Sequence, residues 1–357
     1  MPSQRPRLTP AIADVRRAVR AGLADLAEAG NSARHEAATA PARTLVLVAL
    51  SGGPDSLALA AATAFEAPRA GLQAGAVVVD HGLQEGSAEV AEAAADAARR
   101  LGLDPVLVRR VSVTAGGGPE NAARTARYLA LDDALRTTGA RRILLGHTLD
   151  DQAETVLLGL ARGSGAVSLR GMPALAPARG VPSADYGRPL LGIRRATTVG
   201  FCADSGLRPW TDPHNADPAY SRVRVRDRVL PVLEAELGPG VAEALARTAE
   251  QLREDADALD RFAEEWAEEV VGLTDDGRLT LDVGGLAANP PALRQRILRF
   301  AARSEYGVSL SRAHTLAISA LVTDWHGQGE VSVPGVRVDR RGGQLVFTPQ
   351  SLPPDAL

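Results

Sequence analysis

Between residues 43 and 161 the chain alternates short apolar runs with helix-like segments, and this alternation constrains the fold more than any other feature. Strand signals fall at 44–50, 75–79, 105–111 and 142–146, and helical signals at 56–66, 87–101, 119–138 and 151–161. Strands separated by helices of that length cannot pair as tight hairpins, so they predict a parallel sheet with helices on both faces. Ligands of such sheets bind beyond the carboxyl ends of the strands. The polar clusters collect at that edge: Ser51–Ser56, Asp80 with His81, and Gly146–Glu154.

The first strand runs directly into a glycine-rich turn, "LVLVALSGGPDSLAL" over residues 45–59. Gly52 and Gly53 let the backbone turn tightly, and Pro54 suits the first turn of the helix that follows. Backbone N–H groups and a helix N-terminus then face one point, which binds phosphate without a side-chain cation. Ser51 and Ser56 add hydroxyls. Asp55 adds a carboxylate, which repels phosphate unless a cation lies between them, so Asp55 implies Mg²⁺ bridging to a nucleotide. Walker-type loops use a lysine here. This chain contains no lysine, its 40 basic residues all being arginine.

The rest of the chain predicts a fold of several parts. Ile12, Val15, Val19, Leu23 and Leu26 space out one amphipathic helix over 8–29, and residues 1–42 read as a helical extension and linker. Residues 43–236 form the α/β domain. Within it, 163–220 is rich in Gly, Pro and Arg and reads as long loops. Residues 237–276 hold a long linker helix over 241–270, with Leu245, Leu252, Leu259, Phe262, Trp266 and Val270 on one face. Residues 277–357 read as a small C-terminal α/β or α+β domain.

Net charge is −3, unevenly spread. Residues 162–195 carry six arginines against Asp185, whereas 241–276 carry twelve acids against three arginines. That asymmetry points to a localised anionic partner. No stretch is apolar enough for a membrane span or a signal peptide. The single cysteine, Cys202, excludes an internal disulfide and a Cys-rich metal site. The chain reads as cytoplasmic with no membrane partner. Its oligomeric state stays open, a homodimer included.

A second polar block, "LLGHTLDDQAETVLLGLARGSG", spans residues 144–165. Asp150, Asp151 and Glu154 share one face at a helix start. Asp-x-x-Glu there reads equally as a capping box. Arg124 and Arg127 lie one turn apart on the preceding helix. His81 and His147 belong to no recognisable metal set; His81 reads as a nucleotide contact or a loop cap.

The pattern Ser-Gly-Gly-x-Asp-Ser resembles the pyrophosphatase loop of the N-type ATP pyrophosphatases. The His-x-x-Asp-Asp-Gln-Ala-Glu-Thr block resembles that of the tRNA(Ile)-lysidine synthetases. The resemblance continues through "NAARTARY", "GSGAVSLRGM", "RPLLGIRR" and "FCADSGLRPWTDPHNADPAYSRVRVRDRVLPVL", and covers about residues 43–350. It implies that ATP adenylates O2 of the wobble cytidine of an isoleucine tRNA with a CAU anticodon. Free L-lysine then displaces AMP to give lysidine, so the chemistry lies at the α-phosphate. It further implies ATP binding by Ser51–Ser56 and His81, and catalysis by Asp55, Asp151 and Glu154. Lysine would be held by Arg124, Arg127, Asp150, Asp151 and Glu154, and tRNA by Arg194, Arg195, Arg222, Arg224 and Arg226 and by the small substrate-binding domain at 277–357. A thiolase of the same superfamily would need paired cysteines. A synthetase using ammonia would need a supplying domain, and a non-enzymatic nucleotide-binding module would not need the acidic block.

Overall fold

The four expected strands form adjacent members of one sheet in the computed structural model, which describes residues 8–36, 43–82, 86–111, 119–163, 165–178, 180–211 and 217–350. Two compact units divide at Glu250/Gln251. In unit 1 the strands are β1 (Leu45–Ala49), β2 (Gln73–Asp80), β3 (Val106–Arg110), β4 (Arg142–Leu144), β5 (Leu175–Pro177) and β6 (Asp185–Gly187). Their spatial order is β3-β2-β1-β4-β6-β5, with every pairing parallel except β5 with β6. The order reverses between β1 and β4, which opens a crevice beyond their carboxyl ends.

The helices of unit 1 are α1 (Pro10–Gly22), α2 (Ala24–Glu36), α3 (Pro54–Glu66), α4 (Ser87–Arg100), α5 (Pro119–Thr138), α6 (Leu149–Ala161), α7 (Ala166–Leu169), α8 (Arg195–Asp204), α9 (Ser221–Arg224) and α10 (Leu230–Leu237). On one sheet face α1, α3, α4 and α8 bury Val46, Val48, Leu59, Ala95 and Phe201. On the other, Leu131 and Leu135 of α5 cover Leu47, Val77 and Ile143. Both faces of β1 and β2 are therefore sealed, which suits runs such as "AVVVD" that are apolar throughout rather than alternating.

Two expectations give way to packing. The single helix over 8–29 is broken at Leu23, which is fully buried. Gly22 ends the first helix where the chain meets Pro189: a Cβ there would sit 2.9 Å from the Pro189 Cβ, so glycine is the residue that fits. The buried Arg142 of β4 then accounts for the direction of α2, donating to the Gly22 carbonyl (2.8 Å) and both Asp25 oxygens (2.9 and 2.8 Å), as well as to Asp185. Ile12, Val15 and Val19 thus join the sheet's core. Region 163–220, expected as loops, also supplies β5, β6 and α8; three-residue strands are too short to show periodicity.

Unit 2 begins within α11 (Val241–Val270) and continues with β7 (Val271–Leu273), β8 (Leu279–Asp282), α12 (Val283–Ala288), α13 (Pro291–Tyr306), α14 (Arg312–Thr323), β9 (Val331–Val333), β10 (Val336–Arg341) and β11 (Gln344–Pro349). Its strands make an antiparallel sheet, β7-β8-β11-β10-β9. The helix over 241–270 has its expected length and buries Val270 as expected, but the rest of its buried stripe differs. Ala256, Ala263 and Ala267 are buried, while Phe262 and Trp266 are 50% and 40% exposed. Small residues allow close helix approach, so alanine rather than the aromatics faces the core.

Candidate active site

Gly53 caps α3 through its backbone, and Gly52 adopts φ +84°, a left-handed conformation that favours glycine. The turn is closed internally. Ser56 Oγ donates to the Gly53 carbonyl (3.0 Å), accepts from Ser51 N–H (3.2 Å) and lies 3.1 Å from Ser51 Oγ. Across the crevice, Gly146 follows β4 so closely that a Cβ there would lie 3.1 Å from Ser56 N. A glycine at this point lets the second polar block abut the phosphate loop.

Thr148 starts α6. Its hydroxyl accepts from Asp151 N–H, and Asp151 Oδ2 accepts from Thr148 N–H (2.7 Å) and Thr148 Oγ1 (2.8 Å). The capping box is therefore Thr148 with Asp151, and Glu154 takes no part in it. Thr-x-x-Asp is itself a cap signal, visible in the sequence.

Glu154 is completely buried among arginines. Its Oε1 accepts from Arg226 Nε (2.8 Å) and Arg195 Nη1 (3.2 Å), and its Oε2 from Arg226 Nη2 (3.2 Å), with Arg222 Nε at 3.5 Å. Arg195 ties this group to the phosphate loop. Its Nη2 donates to Asp151 Oδ1 (2.8 Å), its Nε to Asp55 Oδ2 (3.3 Å), and its backbone N–H to Asp150 Oδ2 (2.7 Å). Asp55 also accepts from the Thr198 hydroxyl of α8. One guanidinium thus spans carboxylates from two elements.

These contacts set the ionisation of the group. Burial pushes the Asp55 carboxyl above its ordinary range, and Thr198 and Arg195 offset only part of that push. Burial acts the same way on Asp151, but Arg195 and the Thr148 hydrogen bonds outweigh it and hold Asp151 below its usual value. His147 is driven down to about 3, by burial and by Arg188, Arg127 and Arg222, against the pull of Asp151. It is therefore a neutral imidazole at pH 7. Burial and Arg127 likewise lower His81.

The expected residues fall into three places. Asp55, Asp150, Asp151, Glu154, Arg195, Arg222 and Arg226 converge in one cluster. Arg194 flanks it, 3.4 Å from Asp150 and 3.3 Å from Glu243. Arg224 lies apart and exposed, donating to the Pro218 and Ala219 carbonyls. Arg124 sits 5.4 Å over the Tyr128 ring, and the Tyr128 hydroxyl is 3.5 Å from buried Arg188. Arg188 Nε, His81 Nδ1 and His147 Nδ1 are buried without a hydrogen-bond partner. These unpartnered nitrogens lie just past the ends of β2, β4 and β6. Arg188, Thr148 and Thr198 were not among the expected site residues: an arginine or threonine in a loop or helix carries no signal of its own, and for Thr148 the Thr-x-x-Asp cap was the signal that could have found it.

A PP-loop domain model matches residues 28–233, and a TilS substrate binding domain model matches 281–346. A tRNA(Ile)-lysidine synthase from Leifsonia xyli is 68% identical over 310 residues, 86% of this chain and 90% of that protein. The chain belongs to the tRNA(Ile)-lysidine synthase family. A second member, from Thermobifida fusca, is 53% identical over 345 residues, 95% of this chain and 98% of its own length. Among solved structures, a U34-tRNA thiolase from Methanococcus maripaludis aligns with a TM-score of 0.52 at 19% identity, covering 68% of this chain and 80% of that one. It shares the fold of the lysidine synthase family. The described residues contain no group of three side chains suited to a metal ion, and none of their helices is long and apolar enough to cross a membrane.

Proposed function

We propose that this protein ligates free L-lysine to C2 of the wobble cytidine of the CAU-anticodon isoleucine tRNA, using ATP. The observation that carries this reading is the single guanidinium of Arg195 joining Asp55 of the phosphate loop to Asp151 and Glu154 of α6. Phosphate binding and cation binding therefore share one crevice.

ATP phosphates would sit on the N–H groups of Ser51–Ser56 at the α3 N-terminus, with His81 beside them. Cytidine O2 attacks the α-phosphate and pyrophosphate leaves. The ε-amine of lysine then attacks C2, AMP leaves with O2, and a carboxylate takes the proton. Only about one lysine in a thousand is unprotonated near pH 7.4, and a carboxylate that binds the ammonium tightly opposes its deprotonation. Asp150 and Asp151 keep 17% and 12% of their side chains open, so an incoming ammonium meets them first. Glu154, with no open surface, acts on lysine through Arg195, Arg222 and Arg226, and is a positioning residue in this conformation. Arg124 and Arg127 suit the lysine carboxylate.

Mg²⁺ is commonly held by one or two carboxylates plus substrate phosphates. Asp55 fits that mode if Arg195 releases it; the ion would neutralise phosphate charge. Arg194 and Arg224 are the best placed of the basic residues for RNA phosphate. A sulfur-transfer reading finds no support in Cys202, whose buried thiol hydrogen-bonds the Pro54 carbonyl (3.4 Å) and is pushed up to about 11. Incubation with ATP, lysine and the isoleucine tRNA, followed by mass spectrometry of its nucleosides, should reveal lysidine in step with AMP and pyrophosphate. ADP as the main nucleotide product would overturn the reading.

A further inference from the structure

The phosphate loop has an aromatic neighbour that the reaction described above does not use. Trp210 follows α8 in an irregular segment, and its backbone N–H donates to the Gly52 carbonyl at 2.9 Å. A Cβ on Gly52 would lie 3.7 Å from the Trp210 Cβ and 3.7 Å from the Ala94 Cβ, so the residue is fixed against the outer side of the loop. Its side chain is nevertheless open, the residue being 36% exposed. The chain has three tryptophans, and aromatic residues make up only 3% of it. Trp266 and Trp325 are similarly exposed, at 40% and 38%, so it is the place beside the phosphate-binding loop that sets Trp210 apart.

Bound phosphates and an exposed ring suit the same kind of molecule. A nucleotide whose phosphates rest on Ser51–Ser56 carries its base one ribose away from the first of them. An RNA strand drawn to the exposed Arg208 nearby presents unpaired bases. Bases of either origin stack on aromatic side chains with little regard to sequence. An indole already anchored through its backbone loses little further freedom on stacking.

We propose that Trp210 is a stacking platform for a nucleobase at the mouth of the phosphate loop. This rests on the ATP- and RNA-dependent reading above. Its base comes either from ATP or from the anticodon loop of the RNA, and the two are separable by experiment.

The test uses the full chain carrying Trp266→Phe and Trp325→Phe, which leaves Trp210 as the sole tryptophan. Its fluorescence is titrated with ATP and, separately, with an anticodon stem-loop RNA. Saturable quenching by ATP assigns the platform to adenine, and quenching by RNA alone assigns it to an RNA base; each supports the proposal. In the otherwise unchanged protein, Trp210→Ala should weaken that same ligand about fivefold to a hundredfold, while Trp210→Phe retains most of the affinity. The salt dependence of RNA binding should not change, since no charge is lost. Absence of quenching by either ligand overturns the proposal, as does an affinity change below twofold in a folded Trp210→Ala. Should that variant fail to fold, the fluorescence titration decides alone. Lysidine formation without quenching would refute the platform but spare the activity; quenching without lysidine formation would do the reverse.

Discussion

Replacing Glu154 with glutamine tests the centre of the site most directly. The substitution keeps the shape of the side chain but removes its charge, and turns one carboxylate oxygen into an N–H₂ donor. Both oxygens now face guanidinium donors: Arg226 at 2.8 and 3.2 Å, Arg195 at 3.2 Å and Arg222 at 3.5 Å. Either orientation of the amide therefore sets donor against donor. Breaking a fully buried ion pair costs about 3–5 kcal/mol. Here Glu154 is fully buried, but Arg195, Arg226 and Arg222 keep 21%, 27% and 33% of their side chains in water. Water recovers part of their solvation, which brings the expected loss to about 2–4 kcal/mol. For a unit of this size each kcal/mol moves Tm by about 2–4 °C, so Tm should fall by roughly 5–15 °C. The assay is thermal denaturation at neutral pH, at low salt and near 1 M salt. Because the acid is buried, high salt should narrow the difference only slightly. A Tm within about 1 °C of the parent would refute the arginine cage, and the carboxylate would then be solvated or interchangeable with a neutral acceptor.

Asp55→Asn should abolish pyrophosphate release while raising Tm at pH 7–8. The folded state raises the Asp55 pKa, so this carboxyl favours folding below its ordinary value near 3.8 and loses that contribution as pH rises through the folded-state pKa. Removing the charge should help at neutral pH and bring progressively less benefit in acid; a variant that is less stable at pH 8 than at pH 4, relative to the parent, contradicts the sign. Arg224→Gln should leave Tm unchanged and flatten the salt dependence of tRNA binding by about one counterion. Arg226→Gln should instead lower Tm, because it unpairs Glu154; equal behaviour of the two variants in both assays would erase the distinction between them.

The sequence alone determined the features that rest on neighbouring residues. Helix boundaries at 119–138 and 241–270 and the glycine turn after β1 follow from local periodicity and from glycine and proline placement. The parallel sheet follows from the spacing of strands and helices, and the family follows from blocks of contiguous residues. Only the tertiary structure decided the partners of charged and apolar groups that are far apart in the chain. Arg195 and Arg226 lie 41 and 72 residues from Glu154, and nothing in their local sequence distinguishes an arginine that meets RNA from one that closes on a buried acid. Phe262 and Trp266 show the same limit: periodicity marks a stripe, but the closeness of the opposing surface selected alanine for the core. A backbone conformation is a property of a few adjacent residues, whereas an ion pair or a packed face depends on which distant surface the fold brings against it and on how much water that surface excludes.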